Sequence, residues 1–117
     1  MRKIALLLAV VMIFMVPVNA LAAEQSDAVI TPTLTISGRT ATCEATVRAN
    51  SSTDYIEMRV TVWYETRCLL DETVTGYYAV RFEDWLPLTS GWEVELRVDV
   101  TINGVVYPTR NDIATCP

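Results

Sequence analysis

The chain of 117 residues contains no histidine. That absence removes Ser-His-Asp and Cys-His nucleophile systems and every imidazole-based zinc site together. Lysine is nearly missing as well: Lys3 is the only one, so past the first few residues every side-chain cation is an arginine. Glycine occurs four times, with no run able to cradle a phosphate. The cysteines at 43, 68 and 116 lack the short Cys-x-x-Cys spacing of thiolate metal clusters. No cofactor or metal is expected from such a composition. No segment has a helical period once the first residues are set aside, and no apolar run reaches the roughly 20 residues of a spanning helix.

What is present begins with a basic start, Met1-Arg2-Lys3, followed by the unbroken apolar run Ile4 to Val16. Pro17 breaks the run, and Ala20-Leu21-Ala22 offers small residues at alternate positions. Basic, apolar and small-residue parts in that order predict a secretory signal peptide over residues 1–22, cleaved near Ala22. A short polar lead (23–28) and one domain (29–117) follow. The expected product is secreted, with no membrane attachment after cleavage. Removing the leader takes away Arg2 and Lys3, so nine basic residues fall to seven against fourteen acidic ones, and the net charge moves from −5 to −7. Such a surface repels nucleic acid and anionic headgroups.

From Ile30 onward the hydrophobic period is two. Ile30, Leu34 and Ile36 share a face against threonines; Ala41, Cys43, Ala45 and Val47 alternate with Thr40, Thr42, Glu44, Thr46 and Arg48. Ile56, Met58, Val60, Val62 and Tyr64 form the longest early stripe, with Glu57, Arg59, Thr61 and Trp63 on its other side. A strand near 68–74 is followed by an expected turn at Thr75-Gly76, and Tyr78, Val80 and Phe82 are expected to point inward. After a loop at 87–91, Val94 to Ile102 alternates again, ending at Asn103-Gly104. Both central residues of a type I′ hairpin turn need positive φ, which Asn-Gly accepts. About seven antiparallel strands separated by polar turns predict an all-β fold: a two-sheet sandwich of immunoglobulin-like topology, preceded by a signal-peptide helix. A small open barrel is the second choice.

The run Leu34-Thr-Ile-Ser-Gly-Arg-Thr-Ala-Thr-Cys-Glu-Ala-Thr-Val47, with Thr89-Ser-Gly-Trp-Glu-Val-Glu-Leu-Arg-Val98 and the Asn-Gly hairpin, resembles small secreted immunoglobulin-like domains of unknown function from Gram-positive bacteria of the clostridial type. The resemblance implies a fold and a compartment, and no activity.

Carboxylates do occur in pairs, Asp71-Glu72 and Glu83-Asp84, and in the row Glu93, Glu95, Asp99. Neighbours in a strand point to opposite faces, so the adjacent pairs cannot converge on one substrate bond. Arg97 lies within the row, and Arg48, Arg59 and Arg81 lie on other outward faces, an arrangement that cross-strand charge pairing on solvated faces explains. The chain therefore reads as no enzyme, with an acidic-pair glycan hydrolase as a remote alternative. The surplus lies in aromatics. Trp63 falls on a polar face, and Tyr55, Tyr77 and Trp85 border turns, so these four form the candidate binding patch for a protein or glycan. The competing reading covers Trp63 with an edge strand or with the 85–88 loop and leaves a purely structural extracellular domain. Outside the cell cysteines pair. Cys68 with Cys116 is the expected disulfide and Cys43 the buried thiol, with Cys43–Cys116, Cys43–Cys68 and an intermolecular bridge left open.

Overall fold

The computed structural model describes residues 28–117, so the expected signal peptide and most of the polar lead lie outside the described residues. Eight strands follow one another: β1 (Val29–Ser37), β2 (Thr40–Arg48), β3 (Tyr55–Tyr64), β4 (Arg67–Tyr77), β5 (Ala79–Pro87), β6 (Glu93–Ile102), β7 (Val105–Val106) and β8 (Arg110–Thr115). They form two antiparallel sheets. Sheet A has the order β1-β2-β5; sheet B has the order β4-β3-β6, with β7 and β8 both pairing the far side of β6. The count is one above the expected seven. Val105-Val106 completes the Asn-Gly hairpin as a strand of its own before Pro108, which has no N–H to donate, and β8 then resumes the pairing.

The alternation read from the sequence is the alternation of burial. In β3, Ile56, Met58, Val60 and Val62 are fully buried; in β6, Val94, Leu96, Val98 and Val100 are; in β2, Ala41, Cys43, Ala45 and Val47 are. These stripes meet in one core shared by both sheets. Each large aliphatic side chain so removed from water stabilises the fold by about 1.5–3 kcal/mol. Two of the hairpins carry the turn chemistry that their two-residue loops need. Gly38 (φ 59°) opens the β1–β2 loop, and Asn103 (φ 51°) and Gly104 (φ 81°) supply the two positive values of a type I′ turn.

Three expectations about local structure are corrected. Thr75-Gly76 is not a turn: β4 runs through it to Tyr77. The chain changes sheets at Tyr78, whose φ is 71°. Its backbone is held there by Tyr78 N–H donating to the Asp54 carbonyl (2.9 Å) and Ala49 N–H donating to the Tyr78 carbonyl (2.7 Å). Tyr78 is accordingly 43% exposed rather than inward, while Val80 is buried as expected. Gly76 serves the crossover by close approach: a Cβ there would stand 2.9 Å from Val80 Cγ1.

The third correction concerns the cysteines, all of which are free thiols. Cys68 and Cys116 do not meet. Cys68 lies on β4 and Cys116 just beyond β8, at opposite margins of sheet B. Three strand spacings separate those margins, about 14 Å, against the ~7 Å that a disulfide tolerates between Cα atoms. Their faces differ too, since Cys68 is exposed and Cys116 buried. Cys43 is buried, and it sits opposite Leu34, four residues along β1 from the Gly38 carbonyl that the Cys116 thiol approaches at 3.7 Å. Four residues of strand amount to about 13 Å, which leaves that pair unbridged as well.

Candidate functional site

The four aromatic residues singled out from the sequence do not form one patch. Tyr55 and Tyr77 are cross-strand partners at the crossover end of sheet B, their rings tilted at 57° with centroids 5.2 Å apart. Trp63 lies at the other end of β3, on the outer face of sheet B. Trp85 lies on the outer face of sheet A, opposite Thr42 of β2. The two tryptophans therefore look away from each other on opposite sides of the sandwich. No 85–88 loop covers Trp63, because β5 continues to Pro87 and Leu88 turns into the core. A second aromatic pair, not anticipated from the sequence, is Tyr64 with Trp92, stacked at 4.1 Å and 9° with the Arg67 guanidinium 5.7 Å from the Trp92 ring.

The outer face of sheet B is carpeted by charge. Glu57, Asp71, Glu93, Glu95 and Asp99 share it with Arg59 and Arg97, placed there by strand register. Arg59 makes a two-pronged contact with Asp71, Nε and Nη2 donating at 2.9 and 2.7 Å. Those hydrogen bonds hold the Asp71 carboxyl below its ordinary range. Glu95 accepts from Asn111 Nδ2 (2.8 Å) and from Arg97 Nε (2.7 Å), which lowers its pKa in the same way. The carpet is closed enough that Thr61, between Asp71 and Arg97, is only 4% exposed although its parity points it outward. Trp63 is part of the carpet. The Arg97 guanidinium lies 5.2 Å from its ring, and its buried Nε1 has no hydrogen-bond partner. A tryptophan so covered offers little surface to a ligand.

The outer face of sheet A has the opposite character. Thr31, Thr33 and Thr35 of β1 and Thr42 and Thr46 of β2 present rows of hydroxyls, in the register Thr31–Thr46 and Thr35–Thr42. Its charges balance, Glu44 and Glu83 against Arg48 and Arg81, and Arg81 bridges both carboxylates at 3.4 and 3.1 Å. Trp85 stands at one end of this face, 65% exposed. At the other end a shallow groove of about 390 Å³ is lined by Val29, Thr46, Val47, Arg48, Ala79, Val80 and Arg81. The face thus combines one open indole, hydroxyls, and a short charged ladder that leads to an apolar groove flanked by guanidiniums.

Among the described residues no three His, Cys, Asp or Glu side chains are grouped to hold a metal ion. Glu83 and Asp84 point to opposite faces, Asp84 lying opposite Cys43 on the inner side. Neither Asp71 nor Glu95 has the raised pKa that a general acid at neutral pH requires.

No family model and no curated protein matches the chain. Among solved structures it is similar to Spo0M, a sporulation control protein from Bacillus subtilis, at 15% identity and a TM-score of 0.39, over 75% of this chain and 47% of that one. The chain thus spans about half the length of that protein. It is also similar to a protein from Archaeoglobus fulgidus at 12% identity and a TM-score of 0.37, over 76% of this chain and 96% of that one.

Proposed function

We propose that the chain is an exported, non-enzymatic module of immunoglobulin-like topology that binds a glycan on the outer face of sheet A. The topology rests on the strand order, a three-stranded sheet β1-β2-β5 packed on β4-β3-β6-β8, with consecutive strands exchanged between layers. The binding reading is carried by one observation: Trp85 is 65% exposed on a sheet face otherwise made of hydroxyls and balanced charge.

A large exposed indole is an apolar platform against which the C–H face of a sugar ring packs at low entropic cost. The hydroxyls, carboxylates and guanidinium beside it are the donors and acceptors that sugar hydroxyls need. A protein partner requires more. Stable protein interfaces bury roughly 800 Å² per side around a desolvated apolar or aromatic centre, and this face has a single aromatic at one end. Catalysis lacks support because every carboxylate with a shifted pKa is shifted downward by a hydrogen-bonded partner.

The test is retention of the secreted chain on a series of immobilised polysaccharides, comparing the wild type with Trp85→Ala. The reading expects a polymer that retards the wild type and loses at least tenfold in affinity with the variant, while Trp63→Ala binds like the wild type provided it folds. Binding that survives Trp85→Ala, or no retention by any polymer, leaves the structural-domain reading in its place.

A further inference from the structure

We propose that the groove between Arg48 and Arg81 is the subsite for an anionic substituent, a carboxylate or sulfate, of an acidic glycan whose neighbouring sugar packs on Trp85. This inference rests on the reading of sheet A as the glycan-binding face and names the class of glycan.

Arg48 of β2 is opposite Ala79 of β5, and Thr46 is opposite Arg81, so the two arginines are diagonal neighbours on one face. Diagonal positions across an antiparallel pair stand about 7–8 Å apart, within reach of long side chains converging on one group. Both arginines line the shallow groove, together with the short apolar side chains of Val29 and Ala79. An apolar hollow between two planar, permanently charged forks fits a carboxylate or sulfate carried on a ring. It does not suit a freely hydrated small anion, which would gain nothing from the apolar floor.

The two cations differ in a useful way. Arg81 is held in place by Glu44 and Glu83. Arg48 makes no ion pair with any described residue, so its charge is uncompensated where the groove opens. The carboxylates lie on the Trp85 side of Arg81, where sugar hydroxyls rather than anions would pass. Along β5, Trp85 and Arg81 are four residues apart, about 13 Å. A short oligosaccharide laid along the strand reaches from the indole to the groove.

Charge over the whole molecule sharpens this. The chain carries a net −5, and sheet B's outer face sets five carboxylates against two arginines. An anionic polymer is repelled by the molecule at large, so attraction to it has to be local to sheet A.

The experiment measures affinity of the secreted chain for polygalacturonate, its carboxyl-reduced neutral form, dextran sulfate and dextran, with wild type, Arg48→Gln, Arg48→Gln/Arg81→Gln and Trp85→Ala. Thermal unfolding of each variant confirms that it is folded. The expected result is tighter binding to one charged polymer than to its neutral counterpart. Arg48→Gln should lower that affinity about tenfold, and the double variant should remove the preference for the charged form over the neutral one. Which charged polymer gains identifies the substituent. Equal binding of charged and neutral forms, or a charge preference that persists in the double variant, overturns the subsite while leaving the glycan reading intact. Binding unaffected by Trp85→Ala overturns the glycan reading itself, and the subsite with it.

Discussion

The Asp112 carboxylate on β8 accepts a 2.8 Å hydrogen bond from the backbone N–H of Leu34 on β1, joining the edge of one sheet to the edge of the other. β1 pairs only with β2, so the N–H groups on its far side are an open template for another strand. Asp112 closes that template at its midpoint, and Pro32, also in β1, has no N–H to offer. Replacing Asp112 with Ala leaves a half-buried donor without a partner. The expected loss is about 1–2 kcal/mol of stability in urea unfolding, with a smaller loss for Asp112→Asn, which keeps an acceptor oxygen. An Asp112→Ala chain as stable as the wild type would show that water satisfies Leu34 equally well.

Gly76 supports a second prediction. Because its missing Cβ would stand 2.9 Å from Val80 Cγ1, Gly76→Ala forces β4 and β5 apart at the crossover. Overpacking of this kind costs about 1–3 kcal/mol. In a Val80→Ala background the same change should cost much less, since the opposing methyl is gone. Additivity of the two substitutions to within about 0.5 kcal/mol would refute a steric origin.

The contrast between these positions and the rest of the fold shows what could be read in advance. Period-two burial in β2, β3 and β6 follows from alternating side-chain chemistry, and Asn103-Gly104 has one cheap conformation, so both were legible. Gly76 was not. A glycine beside a threonine looks like a turn, and only the packing of two sheets reveals that it marks a close approach. The β3–β4 turn was equally silent: Glu65 takes φ 54° without the glycine or asparagine that usually signals it. Parity placed Trp63 on an outward face, where it lies, and marked Trp85 only as bordering a turn. It could not tell which would be covered, because coverage depends on Arg97 arriving from a strand 34 residues away. The expected Cys68–Cys116 bridge failed for a related reason. β3 and the strand after Asn103-Gly104 run parallel on either side of β6; that places Cys68 and Cys116 at one pole of the domain and says nothing of the strand spacings that separate them.

Trp63 carries a buried indole N–H with no acceptor. An unsatisfied buried donor costs about 1–3 kcal/mol, so Trp63→Phe, which removes the donor and keeps most of the ring, should leave stability unchanged or raise it by about 1 kcal/mol. Trp63→Ala should lower it, through lost packing and loss of the Arg97–ring contact. Paired thermal melts of the two variants decide the matter; a Phe variant as damaged as the Ala variant would mean that the N–H does find a partner in solution.

Cys43 gives the fold a pH dependence of definite sign. Burial first, and the nearby Asp84 carboxylate second, push its thiol from 9.0 up to about 11. In the unfolded chain the thiol releases its proton near the lower value, whereas the folded chain keeps it to the higher one. Between them the native state binds more protons, so stability is fully present below pH 9 and declines as pH rises toward 11. Two pH units correspond to a loss of about 2–3 kcal/mol. The contribution is isolated by comparing wild type with Cys43→Ala: the wild type should show the steeper alkaline loss. Thiol labelling of the folded chain at pH 8 checks the same burial independently. Cys68, exposed on β4, should react at once, and Cys43 and Cys116 only on unfolding. Equal labelling rates for Cys43 and Cys68 in the native chain, together with parallel pH–stability curves, would exclude a protected Cys43.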